Sequence, residues 1–277
     1  MSEFNPRPGP DVGDPRTPGH NGRPDAPQAR TVGGLERIVR LAPGALATSF
    51  VAASKVLVLS LMALAAGVLG LLLVLRVVDP PGSMLMLAQR LQGGRVDQRW
   101  VPLAAISPHL VRAVISSEDN NFCTHRGIDV AELEAAMAKA EDEGSEVVRG
   151  ASTITMQVAK NLFLTPARTY LRKGVEMGMA VAIETVWPKR RTLEMYLNIA
   201  EWGPGVFGAE AAARHHFRKS AARLTSQEAA LMAAALPNPL LRHPGRPGAG
   251  LARLAGIIET RARRGGNRFD CIYGPIR

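Results

Sequence analysis

The sequence predicts a mainly α-helical domain behind a single N-terminal transmembrane helix. Three observations lead there: an uncharged run from Val56 to Leu75, apolar residues recurring at helical spacing through most of the chain beyond it, and scarce strand alternation. At 277 residues with 46% apolar side chains, the chain has material for one domain of catalytic size after allowing for tails. It has no visible internal repeat.

Residues 1–54 open with NPRPGPDVGDPRTPGHNGRPDAPQAR, too poor in apolar side chains to offset the entropy of folding, so they are expected to form a disordered tail. In VLVLSLMALAAGVLGLLLVL, Ser60 is the only polar side chain. At about 1.5 Å per residue this run covers roughly the 30 Å of a bilayer's hydrocarbon core, which places a transmembrane helix at 55–78. A cleaved signal peptide would carry a shorter apolar region and a small-x-small site, and there is none at Arg76, Val77, Val78 and Asp79. Arg30, Arg37, Arg40 and Lys55 precede the helix, while Arg76 is the one basic residue close behind it. The positive-inside rule then leaves the tail cytoplasmic and residues 79–277 outside the cytoplasm.

Beyond the membrane, Leu103 to Ser117 reads as a helix that delivers the polar stretch EDNNFCTHRGID. Val130 to Glu143 reads as an acidic amphipathic helix ending near Gly144, its EDE run a solvated face. Ser152 is placed to cap a helix from Thr153 to Leu164, closed by Pro166. Another should run from Thr169 to Val186, stopped by Pro188. RRTLEMYLNIAEW carries an apolar stripe at Leu193, Tyr196, Leu197 and Ala200, after which GPGVFG turns the chain. Ala209 to Phe217 and Ser226 to Ala235 are alanine-rich supporting helices.

From Val77 onward there are 26 Lys and Arg against 19 Asp and Glu, a net +7 on the exported part. That balance suits an anionic lipid surface or a phosphorylated substrate. Nucleic acid is excluded as a partner by the anchor and by the absence of any recognised nucleic-acid motif. Cys123 and Cys271 admit either a disulfide or two free thiols, since spacing alone decides neither. There is no HExxH, no Gly-x-Ser-x-Gly elbow, no P-loop and no cysteine pair with zinc spacing. His215 and His216, adjacent in ARHHF, point in different directions on a helix and read as structural rather than as metal ligands.

Spacing does mark candidates for chemistry. Arg168, Arg172 and Glu176 recur every four residues and share one helical face, if the helix begins by Arg168. Thr153, Gln157 and Lys160 share a face of the preceding helix, beside an N-terminus whose free amides attract anions. Such groups are either surface ion pairs of small energetic weight or a phosphate cradle. Glu118 and Glu176 are the carboxylates suited to acid/base work, because a carboxyl group in an apolar pocket becomes a proton acceptor near neutral pH. Paired carboxylates across a sugar bond serve glycosyl chemistry.

Five segments then resemble a known family. EDNNFCTHRGID resembles the E-D-x-x-F-x-x-H-x-G-x-D signature of the peptidoglycan glycosyltransferases, glycosyltransferase family 51. RGASTITMQVAKN resembles the family's G-G-S-T-I-T-Q-Q segment and RKGVE its R-K-x-x-E segment. KRRTLEMYLNIAEWGPGVFGAEAAARHHF and LTSQEAALMAAALPNP resemble the fourth and fifth blocks, in the family's order. The single anchor without a later penicillin-binding domain resembles the monofunctional biosynthetic members.

The resemblance implies a lysozyme-like glycosyltransferase domain that polymerises lipid II into β-1,4-linked glycan strands. Glu118 would take the proton from the 4-hydroxyl of the acceptor's N-acetylglucosamine, and undecaprenyl diphosphate would leave with inversion. Glu176 matches the family's second essential carboxylate. Gln157, Lys160, Arg168, Arg172 and Lys173 match residues that cradle the diphosphate and nearby sugars, with Ser152 and Thr153 in the same groove. The implied location is the bacterial inner membrane, single-pass, with the catalytic domain periplasmic. The implied partners are lipid II, the growing glycan, membrane lipid, and cell-wall synthesis and division proteins. Family members often need Mg or Mn as activator, although no built-in cofactor or metal cage is legible. Ala151 and Met156 depart from the family's Gly and Gln, and the acidic linker Ala131 to Val147 departs in the membrane-facing region. A lytic, lysozyme-like hydrolase and an anchored non-catalytic scaffold are the competing readings; the first needs a carboxylic acid but no basic cradle.

Overall fold

The computed structural model describes residues 42–145, 150–164 and 169–274. Arg168, Pro166, residues 1–41 of the expected tail and the end of the acidic linker lie outside the described residues. The chain divides after Ser60 into a first unit and a second, Leu61–Arg277.

The first helix, α1, is Ala42–Leu75. It begins inside the segment expected to be tail, because ALATSFVAASK is rich in good helix formers and Pro43 falls in the first turn, where a missing amide costs nothing. It ends at Leu75 rather than at residue 78. Phe50–Leu75 is long and apolar enough to cross a membrane, with a mean hydropathy of 2.7. Within the second unit, its last carbonyls find partners on the domain. The indole N–H of Trp187 donates to the Leu72 carbonyl at 2.7 Å, and the Arg191 guanidinium donates to those of Leu75 and Val78. An orphan carbonyl at a helix C-terminus, such as that of Leu75, attracts a cationic donor like Arg191. Arg191 also pairs with Asp79 and Glu194, so it fixes the point where the chain leaves α1.

The second unit is helical in line with its sequence pattern. After α2 (Met84–Leu91) comes a short 3-10 turn at Leu103–Ala105, and only then α3 (Pro108–Glu118). The single helix expected from Leu103 is broken because the residue before a proline is pushed out of the helical region. Ser107 is extended and caps α3 through the His109 amide, with Pro108 at the first helical position. Next are α4 (Val130–Asp142), α5 (Ile154–Phe163), α6 (Tyr170–Val186) and α7 (Lys189–Ile199). The two alanine-rich helices α8 (Ala209–Phe217) and α9 (Ser226–Ala235) match their expected limits. α10 (Ala249–Arg263) and the short α11 (Asp270–Tyr273) close the described chain.

The turn expected at GPGVFG is part of a small sheet. Strands β1 (Asp97–Gln98), β2 (Glu201–Gly203) and β3 (Val206–Phe207) lie in the order β1-β3-β2, with β1 parallel and β2 antiparallel to β3. The core gathers Leu110, Val114 and Ile115 of α3, Ile154 and Val158 of α5, and Leu193, Tyr196 and Leu197 of α7 around Trp202 and Phe207. From Ala229 to Ala235 α9 is buried on every side, which is why alanine suits it: small side chains let α3 and α10 pack closely against it. Cys123 and Cys271 form a disulfide across 148 residues, tying α11 to the loop after α3 and replacing the open reading of two thiols.

Candidate active site

The site is built where α3 ends. Glu118 is the last residue of that helix and its side chain is half-buried. Its Oε2 accepts a hydrogen bond from the Gln157 amide of α5 at 2.8 Å. The other end of that amide, Oε1, accepts from the Tyr196 hydroxyl at 3.2 Å. In the sequence Tyr196 is only part of an apolar stripe; in the fold it also fixes which way Gln157 points. Burial pushes the Glu118 carboxyl above the ordinary 4.5, opposed by the Gln157 hydrogen bond and by the charges of Lys160 and Arg242.

The next residue, Asp119, holds the loop after α3. Its buried carboxylate sits 2.9 and 3.0 Å from His125 Nε2 and accepts the Ile154 amide at 2.9 Å, one of the free donors at the start of α5. Phe122 is fully buried. Gly127 has φ +87, and a Cβ there would stand 2.7 Å from the Ala180 carbonyl oxygen of α6, so only glycine fits. Asp129 caps α4 through the Glu132 amide and accepts from Asn121. The polar stretch EDNNFCTHRGID is thus one base candidate followed by the groups that bend the loop against α5 and α6.

Thr153, not Ser152, caps α5, accepting from the Met156 amide while its hydroxyl donates to the Gly127 carbonyl at 2.6 Å. Ser152 accepts instead from Lys173 Nζ at 2.9 Å. Thr169 caps α6 through the Arg172 amide, so the helix begins at Tyr170 and the shared face holds for Arg172 and Glu176. Glu176, with a side chain 2% exposed, accepts from Arg172 and from Lys173, each at 2.9 Å. Lys160 on α5 feels both carboxylates. Burial depresses its pKa below the ordinary 10.5, Glu176 and Glu118 pull it back up, and Arg172 and Lys173 push it down.

Glu118 with Gln157, and Ser152, Lys173, Glu176 and Arg172, thus form two hydrogen-bonded groups, and Lys160 is coupled electrostatically to the carboxylate of each. A polar cleft beside it is lined by Glu118, Asn120, Asn121, Ser152, Thr153 and Arg261 among others. Arg261 and Arg242 lie outside the short segments that carry the sequence signal, and no local pattern marks them. Of the two departures from the family pattern, Ala151 lines the cleft whereas Met156 is fully buried. His215 and His216 have ring planes at 88° yet lie 4.7 Å apart, and His243, which no sequence pattern marks, packs against His216.

A helical domain with a buried carboxylate beside a cluster of cations has the make-up of a lysozyme-like glycosyl-transfer enzyme. A family model described as transglycosylase matches residues 86–260. The biosynthetic peptidoglycan transglycosylase of Rhodospirillum centenum is 56% identical over 204 residues, covering 72% of this chain and 87% of that protein. That of Agrobacterium fabrum is 53% identical over 192 residues, covering 69% and 84%, and that of Rhizobium meliloti 48% over 217, covering 78% and 90%. The chain belongs to the transglycosylase family.

Proposed function

We propose that this enzyme is a peptidoglycan glycosyltransferase that polymerises lipid II into β-1,4-linked glycan with inversion and release of undecaprenyl diphosphate. The observation that carries the reading is the partly buried Glu118 carboxylate, oriented by Gln157, with Lys160 acting electrostatically on it and on the Arg172–Lys173–Glu176 cluster. Its relatives' names supply the peptidoglycan.

Glu118 accepts the proton of the acceptor's 4-hydroxyl as that oxygen forms its bond to the anomeric carbon of the growing strand. The bond from that carbon to the diphosphate oxygen breaks, and its electron pair leaves on the diphosphate. The charge that develops there is stabilised by fixed cations, which need no reorganisation at the moment of reaction. Lys160, Arg172 and Lys173 supply them, with Glu176 holding the last two in place. Gln157 orients the base, Ser152 and Thr153 border the groove, and Arg168 matches a residue that serves the diphosphate cradle in the family.

Divalent metal fits poorly as a protein-held cofactor. Asp119, Asp129 and Glu176 are each already occupied by hydrogen bonds or ion pairs within the fold. A Mg or Mn requirement would then reside on the substrate's phosphates, which is how Mg is usually held, and neither the proton transfer nor the bond exchange runs through it. The apolar helix and the disulfide support a single-pass anchor with the domain in an oxidising, periplasmic space. Cell-wall synthesis and division proteins are the partners such an anchored polymerase would meet.

The test is lipid II polymerisation by the detergent-solubilised chain. Muramidase-sensitive strands are expected; release of fragments from purified sacculi without lipid II consumption would refute the reading.

A further inference from the structure

We propose that His215, His216 and His243 form a binding site for a transition-metal dication of the zinc class, apart from the cleft. The first two sit in the last turn of α8, and His243 is in the loop between α9 and α10. His216 is central, with its ring 4.7 Å from that of His215 and 4.8 Å from that of His243; the outer two are 6.2 Å apart. One ring nitrogen from each lies within 4.8 Å of the others.

The hydrogen bonding of His216 says which nitrogen is available. Its Nε2 is 2.8 Å from the Trp202 carbonyl oxygen, which can only accept, so Nε2 carries the proton. In the neutral ring Nδ1 then keeps its lone pair, and this buried atom has no hydrogen-bond partner. A buried acceptor without a partner is costly. A ring donating one nitrogen to a backbone carbonyl and presenting the other is the arrangement that orients metal-bound histidines. Trp202 is itself immobilised, fully buried with its indole N–H donating to the Met232 carbonyl.

An all-imidazole donor set selects zinc, copper or nickel over magnesium or calcium, which prefer oxygen. Three histidines leave a fourth tetrahedral position for water. Bonds of about 2.0 Å require ligand nitrogens roughly 3.3 Å apart. His215 and His243 are exposed and can turn inward to reach that spacing, while His216 stays fixed. The bound ion would join the loop carrying His243 to α8. Arg242 next to it donates to the Ala234 carbonyl at 2.7 Å and acts electrostatically on Glu118, so the metal would hold a loop that borders the site's charge balance.

Cobalt(II) and zinc(II) titrated into the chelator-stripped, detergent-solubilised full chain test the site. One equivalent of cobalt should bind with a visible d–d band, and zinc should displace it. His243→Ala and His215→Ala should each weaken zinc binding at least about tenfold, whereas His109→Ala, an exposed histidine elsewhere, should not. Zinc should raise the thermal midpoint of the wild type but not of His243→Ala, as expected for a ligand that binds only the folded state. His243 lies on an exposed loop, and the metal-free midpoint of its variant checks that folding is intact. Absence of the cobalt band, unchanged affinity in His243→Ala and His215→Ala, or equal loss in His109→Ala would each overturn the assignment.

Discussion

At the scale of single residues, the proposed chemistry turns on the proton affinity of Glu118. Its amide counterpart, Glu118→Gln, should lower lipid II turnover by roughly 10² to 10⁴, the usual cost of a lost general base. The same change should not destabilise the fold. Because burial raises the folded pKa of Glu118 above 4.5, its carboxyl binds a proton more readily in the native state than in the unfolded chain. That stabilising contribution is fully present below about pH 4.5 and is lost as pH rises through the folded value. The thermal midpoint of Glu118→Gln should therefore equal or exceed the wild type's near pH 7.5, with the gap closing in acid. Lys160 lowers the Glu118 pKa, so Lys160→Met should move the acid limb of the rate profile to higher pH as well as reducing the rate. An acid limb that stays in place would show that Lys160 does not act on the Glu118 carboxyl.

At the scale of elements, the loop that follows Glu118, between α3 and α4, leans on α5 and α6. Gly127→Ala should cost about 1 to 3 kcal/mol, since it forces a left-handed residue and drives a methyl group into the Ala180 carbonyl. Urea midpoints measure this, and an unchanged midpoint would mean the loop does not approach α6 so closely. Tyr196→Phe leaves the core volume intact but frees Gln157, so it should lower kcat with little change in stability. At this scale the sequence is informative where the signal is local. α9 carries a capping box from Thr225 to Glu228, and Gly208 precedes α8, so both limits are legible. Local pattern offers Ser152 as the cap of α5 as readily as Thr153, because either hydroxyl satisfies it. Only Gly127 on one side and Lys173 on the other decide between them.

At the scale of the whole molecule, the disulfide closes a loop of 148 residues between the site loop and the last helix. Replacing both cysteines by serine should lower stability by about 2 to 5 kcal/mol. Calorimetry with and without reductant checks this, and reductant should have no effect on the double variant. The end of α1 is secured to the domain through Trp187 and Arg191. The Arg191 contact joins the end of the apolar helix to α7, which also carries Tyr196, and the Trp187 contact joins it to the end of α6.

Taken alone, the chain determined its long apolar helix, its helical character and the identities of its acid and basic groups. These depend on composition and on contacts within about one helical turn, which sequence order contains. The expectation that Glu118 and Glu176 serve one site came from the resemblance in motif order; helical spacing could not supply it, because they lie on different helices. Only the tertiary structure decided that Gln157 grips Glu118, that Asp119 clamps α5, that Cys123 meets Cys271 and that His243 joins His215 and His216. Each of these brings together side chains far apart in the chain, and such meetings are settled by how the helices pack around Trp202 and Phe207.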